Sequence, residues 1–243
     1  MYSTSINGET VEFGTSGLLY RSNKLMYDRK TNTLWNQFTG VPAVGELVGS
    51  GIRLELLPVV TTTWGEWLKA HPDTTVLDQE TGLYPGRFYR AERDDRSIYF
   101  RYRESPTTMF PVFRASDLLS TKGQVLGLRR NGQAKAYPLE RLRQEPVVND
   151  TLGGETLVVV TTGRLGSRAY HRGDHIFLLE EGLEEATTLT DDQGRLWQVA
   201  EDGLTLLADR SQRLERIPSH NAYWFGWYSF YPDTEIYGPG DGQ

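Results

Sequence analysis

The sequence predicts a mainly β protein with short helices, a β-rich α+β fold made of two diverged repeats of one unit, the first truncated at its N-terminus. Three observations predict it. The 25 glycines and 11 prolines break a chain of 38% hydrophobic and 12% aromatic residues into short runs, which suits many strands joined by tight turns. Residues 54–77 and 214–237 align without a gap at Leu54/Leu214, Glu55/Glu215, Pro58/Pro218, Trp64/Trp224, Trp67/Trp227, Pro72/Pro232, Asp73/Asp233 and Thr74/Thr234. Apolar and polar residues alternate around Asn131-Gly132, the dipeptide preferred by a type I′ hairpin turn, because both central residues need positive φ.

Taken in chain order, residues 13–35 read as strands, and the T-N-T-L-W of residues 31–35 parallels Q-G-R-L-W at 193–197. The W-x-x-W of residues 64–70 sets two indoles on one side of a short helix, and residues 224–230 repeat it. Both first tryptophans, Trp64 and Trp224, read as core. Pro-Asp-Thr stops each helix, with Asp73 and Asp233 expected to cap the backbone and strands expected at 75–77 and 235–237. The connection should carry strands of its own at 97–102 and 109–113. Residues 125–138 read as the hairpin, 139–144 as an amphipathic helix, and 146–162 as strand, turn and buried strand. These assignments divide the chain into a first repeat (1–80), a structured connection (81–124) and a second repeat (125–243). By the repeat register the first copy lacks about forty leading residues. Its sheet should therefore have an unpaired edge, to be met by a partner strand, a rearranged pairing or a homodimer contact.

At 243 residues the chain can bury a core without disulfides or metals. A formal charge of −6 argues against nucleic-acid binding, which needs a basic face. The local basic run at 93–103 carries its own aspartates and reads first as a solvated strand face, with a polyanion site as the alternative. No apolar run reaches the length of a membrane span, and the start lacks a signal-peptide pattern, so the chain as written is expected in the cytoplasm. With no cysteine, thiolate chemistry is excluded, and no cofactor is implied.

Residues 13–35 (F-G-T-S-G-L-L-Y-R-S-N-K-L-M-Y-D-R-K-T-N-T-L-W), L-L-P-V-V-T-T-T-W-G-E-W with H-P-D-T (56–74), and A-K-A-Y-P-L with V-N-D-T-L-G-G (134–154) resemble a prokaryotic family known as domain of unknown function 3179. The resemblance implies a segment with a C-P-L-C-G-like pair upstream of the residues matching Tyr2 to Phe13, absent here, and often export. It carries no reaction.

The densest polar cluster is Gly14-Thr15-Ser16-Gly17 followed by Tyr20, Arg21, Asn23 and Asp28. A Gly-x-x-Gly turn lets backbone approach a ligand, and Thr15, Ser16, Arg21 and Asn23 could line an anion or sugar pocket; a bulged turn is the plainer account. The motif is neither a P-loop nor a nucleophile elbow. Exposed aromatics such as Trp35 and Tyr20 would complete a ligand surface. His171 and His175 flank Gly173 and could share a metal with His220 or Glu180, although an exposed hairpin tip is the plainer account. His71 and Asp73 could form a general-base pair. The run Glu180, Glu181, Glu184 and Glu185 reads as a solvated turn. The leading expectation is therefore a non-catalytic binding or interaction protein for a small polar or carbohydrate-like ligand. The competing one is a hydrolase or metal-dependent enzyme using a His/Asp site.

Overall fold

A computed structural model describes residues 1–78, 82–83, 94–163, 166–179 and 187–238. The acidic run at 180–185 lies outside the described residues. The chain opens with a small hairpin, β1 (Ser5–Ile6) and β2 (Glu9–Thr10). An antiparallel meander follows in the order β3 (Phe13–Tyr20), β4 (Asn23–Asp28), β5 (Leu34–Asn36) and β6 (Pro42–Val44). The Gly-Thr-Ser-Gly motif is a bulge in β3: pairing with β4 shifts register between Thr15 and Leu19, and Gly17 has φ +75.

Helix α1 (Trp64–Ala70) starts at a capping box, in which the Thr63 side chain accepts from Glu66 N while Glu66 bonds back to Thr63 N. Residues 97–102, expected as a strand, form helix α2 (Ile98–Glu104) instead. Over six residues the alternation of basic and apolar side chains does not separate a period of 2 from one of 3.6, and no neighbouring strand completes a ladder. The strand expected at 109–113 does not form either. Pro111 removes a backbone donor from its middle.

Then come β7 (Gln124–Arg130) and β8 (Gln133–Pro138), joined through Asn131 (φ 46) and Gly132 (φ 84) as the dipeptide predicts. Helix α3 (Leu139–Gln144) leads into β9 (Val147–Leu152), β10 (Glu155–Thr162), β11 (Gly166–His171), β12 (Phe177–Leu179), β13 (Thr188–Asp191), β14 (Leu196–Val199), β15 (Gly203–Leu206) and β16 (Arg213–Ile217). The described chain ends with β17 (His220–Tyr223), α4 (Trp224–Phe230) and β18 (Glu235–Ile236).

Eight strands, in the order β12-β13-β14-β15-β16-β11-β10-β9, curl into a nearly closed barrel. The seam between its first and last strands is bridged by Asn149 of β9. Its Nδ2 donates to the Phe177 carbonyl at 2.8 Å, and its Oδ1 accepts from the Phe177 N–H at 2.9 Å. The barrel interior holds Val158, Val160, Tyr170, Phe177, Leu189 and Trp197. The alternate β10 residues Leu157 and Val159 face outward but are equally buried, under the sheet β17-β7-β8-β18 and α3. That explains why T-L-V-V-V reads as a continuous apolar run.

On its other face this sheet carries Val125 and Ala136 against Trp224, Trp227 and Phe230 of α4, and Phe38 arrives there from the N-terminal region. Gly127 is required at the contact, since a Cβ there would meet Trp227 Cζ3 at 2.3 Å. Burying an indole of that size contributes about 4–6 kcal/mol.

The local bonds of the two W-x-x-W segments match. Trp67 Nε1 donates to Thr74 Oγ1 at 2.9 Å and Trp227 Nε1 to Thr234 Oγ1 at 3.0 Å. Trp35 Nε1 donates to Asp28 at 2.9 Å and Trp197 Nε1 to Asp191 at 2.9 Å. Asp73 and Asp233, expected to cap these turns, are exposed, and the threonine beside each ties the turn back. The surroundings differ. Trp224 is 1% exposed on its sheet, whereas Trp64, expected in the core, is 52% exposed: α1 turns Glu66 and Trp67 toward Thr162 and Gly163 at the barrel end, and among the described residues no counterpart of the β7–β8 hairpin covers Trp64. For the same reason residues 75–77 form no strand, while Glu235 and Ile236 pair in parallel with Lys135 and Ala136.

Candidate functional site

Two adjoining cavities, of about 470 Å³ and about 430 Å³, lie between the N-terminal region and the edge of the β17-β7 sheet, and share Tyr2, Phe38, Leu54 and His220. His220 opens edge strand β17, opposite Gly127. Its imidazole sits among aromatic rings, with centroids 6.3 Å from Tyr2, 5.5 Å from Phe38 and 6.2 Å from Trp227. Burial lowers its pKa to about 4, with the positive charges of the amino terminus and Arg129 acting in the same direction. The ring is therefore neutral near pH 7. Neither of its nitrogens has a hydrogen-bond partner among the described residues.

A second polar group faces the same space. Asn36 is buried and lines the larger cavity; its Oδ1 accepts from Phe38 N at 2.8 Å and from Thr39 N at 3.3 Å. Its Nδ2 has no partner among the described residues, so two donors remain for a ligand or water. The smaller cavity has a basic rim of Arg53, Arg129 and Arg130, with Glu55 beside them. Arg129 lies 4.8 Å over the Tyr231 ring, and the Tyr231 hydroxyl donates to the Phe38 carbonyl at 2.8 Å. Arg53 donates to the Thr39 carbonyl. The rim is thereby fixed to the segment that carries Asn36.

Of the residues picked out by sequence, Asn23 and Trp35 line the larger cavity together with His220. Trp35 is not an exposed aromatic: it is 1% exposed and held by its bond to Asp28. Asp28 is fully buried and also accepts from Thr31 N at 2.6 Å. Burial alone would raise its carboxyl, but the bonds from Trp35 and Thr31 outweigh it and hold the group below the usual carboxylate range. Asp28 is thus a support for Trp35. Ser16 is spent on the bulge, donating to the Leu25 carbonyl at 2.7 Å and accepting from Leu18 N. Thr15 is exposed beside it. Tyr20 and Arg21 sit away from the cavities, the guanidinium 5.1 Å over Phe113 and 5.8 Å over Phe230. Tyr2, Asn36, Phe38 and Arg129 carried no sequence signal.

The histidines proposed for a metal do not converge. His171 lies 3.9 Å from Glu155 and 3.5 Å from Arg130. His175 groups with Asp191 and Asp192, and no cluster among the described residues includes His171 or His220. Arg195 already occupies that corner, 2.8 Å from Asp191 and 3.0 Å from His175 Nδ1. Asp191 also accepts from Gln193 N, Arg195 N and Trp197 Nε1, which leaves little lone-pair capacity for an ion. Glu180 lies outside the described residues. His71 stacks on Trp67 at 4.1 Å, and Asp73 points into solvent with no bond to it. That pair lacks the geometry of a general base and its orienter.

A mainly β chain with a nearly closed barrel and an aromatic groove beside it is the class of protein that this geometry defines. Residues 1–234 match a family model described as "Protein of unknown function (DUF3179)", and the chain belongs to that family. Neither a curated protein nor a solved structure matches it. No helix among the described residues is long and apolar enough to cross a membrane.

Proposed function

We propose that this chain is a non-catalytic binding protein, built of two diverged units, that takes a small, acceptor-rich polar ligand in the groove around His220. The observation that carries this reading is the pairing of unspent polar groups with aromatic walls in one recess. Asn36 offers donors, His220 offers a neutral imidazole, and Tyr2, Phe38 and Trp35 supply ring and edge surfaces. Such a mixture suits a compound with a flat or ring face and several oxygen acceptors, as in a sugar or a small hydroxy acid. The arginine rim favours an acidic substituent over a basic one. The matched Trp–Thr and Trp–Asp bonds support the duplication.

The reading is tested by calorimetry and thermal shift with neutral sugars, small carboxylates, inorganic phosphate and small amines. Sugars or carboxylates should raise the melting temperature of the parent chain but not of Asn36→Ala or His220→Ala. Equal response of both variants, or response to amines alone, contradicts it.

A further inference from the structure

We propose that the outer edge of β3 pairs antiparallel with β3 of a second copy of this chain. Among the described residues β3 pairs only with β4, so its other side presents backbone N–H and C=O groups with no strand beside them. Proteins guard such edges with lysine, proline or other charge, and the eight residues of β3 contain no charge and no proline. Their one irregularity is the bulge at Gly17.

The C-terminal half of the strand presents large side chains to solvent, Leu18 at 53%, Leu19 at 48% and Tyr20 at 41% exposure. The patch continues onto Phe113, itself exposed, whose backbone N–H donates to Ser22 Oγ at 2.9 Å and so holds it beside the β3–β4 turn. The barrel strand at the matching place, β12, lies two strands before Trp197 as β3 lies two strands before Trp35. Asn149 joins β12 to β9, and β3 has no such neighbour.

The strand's own chemistry selects a second copy as the occupant. A two-fold axis sets a strand antiparallel to itself, and an uncharged strand meets its mate without opposing like charges. Elsewhere, a chain of formal charge −6 repels its copy. The two-fold axis would pass at Leu18, so that residues 16–20 oppose 20–16 of the mate and two four-stranded meanders merge into one eight-stranded sheet, along a seam of about 17 Å for five residues, with Leu18, Leu19 and Phe113 supplying apolar area.

Because the chain has no cysteine, single introduced cysteines report the contact cleanly. Sedimentation velocity across micromolar concentrations should find a discrete dimer of the whole chain. Leu18→Cys should form a disulfide-linked dimer under mild oxidation, and Leu196→Cys, on the exposed barrel surface, should not. Leu19→Lys should raise the dimer dissociation constant about tenfold or more, since the two lysines then lie diagonally across the axis on one face of the sheet. Its circular dichroism and melting establish that it is folded, and the cysteine pair decides independently if it is not. A monomer at every concentration, a dimer untouched by Leu19→Lys, equal crosslinking at position 196, or open-ended aggregates would overturn the proposal.

Discussion

Asn149 and Phe177 lie 28 positions apart and exchange two hydrogen bonds, so that one side-chain amide takes the place of a peptide across the barrel seam. Asn149 lies within β9, its backbone opposite Val158 of β10, and its side-chain amide reaches across to β12. Losing it orphans a backbone N–H and C=O beside the core residue Phe177. Asn149→Ala should cost about 2–3 kcal/mol in urea denaturation, and Asn149→Asp, which keeps only the acceptor, a similar amount. A cost below about 0.5 kcal/mol would mean that the seam is held by packing alone.

The two tryptophan–threonine bonds predict unequal costs. Trp227 is fully buried and Thr234 nearly so, whereas Trp67 and Thr74 are partly open to water, which can replace the lost partner. Thr234→Val should destabilise by about 1–3 kcal/mol and Thr74→Val by less than about 0.5 kcal/mol, measured as shifts in urea midpoint. Equal costs would show that α1 is covered in solution.

Gly127→Ala places a methyl group where the Trp227 ring now lies. It should cost about 2–3 kcal/mol and weaken the near-ultraviolet signal of the tryptophans, since the indole can leave only by opening the α4 contact. An unchanged spectrum and stability would mean that the ring does not rest on β7.

His220 predicts a specific acid response. Its folded pKa of about 4 lies below the unfolded value of 6.5, so the unfolded chain takes up a proton that the folded one refuses. Stability is fully present above about pH 6.5 and falls as pH drops toward 4, by about 3 kcal/mol in all. Asp28, Asp191 and Glu201 have depressed folded values, and their contribution is lost in a lower window, as pH falls through those values. Urea melts between pH 7 and 5 should slope for the parent and be flat for His220→Gln. Parallel slopes would place the linkage elsewhere.

Local features were legible in the sequence, and assembled ones were not. Asn131-Gly132, the two W-x-x-W helices and the 139–144 helix follow from turn chemistry and short-range periodicity, and they form at the expected places. The strand at 75–77 failed because strand formation there needs a neighbour that only Glu235 and Ile236 possess. Trp64 failed for the same reason: an indole at helical spacing says that a face is apolar, not that something covers it. The site was half legible. Asn23 and Trp35 were singled out for a ligand surface and His220 for a metal, without any sign that the three share one cavity. The groove joins Tyr2 to His220 across almost the whole chain, a closeness that no local pattern encodes.

Binding of a small acceptor-rich ligand in the groove around His220 can be watched at its own side chains by an NMR titration. The Asn36 side-chain amide, the Trp35 indole N–H and the His220 imidazole are followed while the neutral sugars, carboxylates, phosphate and amines are added singly. At least one sugar or carboxylate should shift all three sets of resonances together, saturably, and Asn36→Ala should abolish the shifts. If no compound moves them, or if binding shifts only resonances remote from Tyr2, Asn36 and His220, the groove is not the binding site.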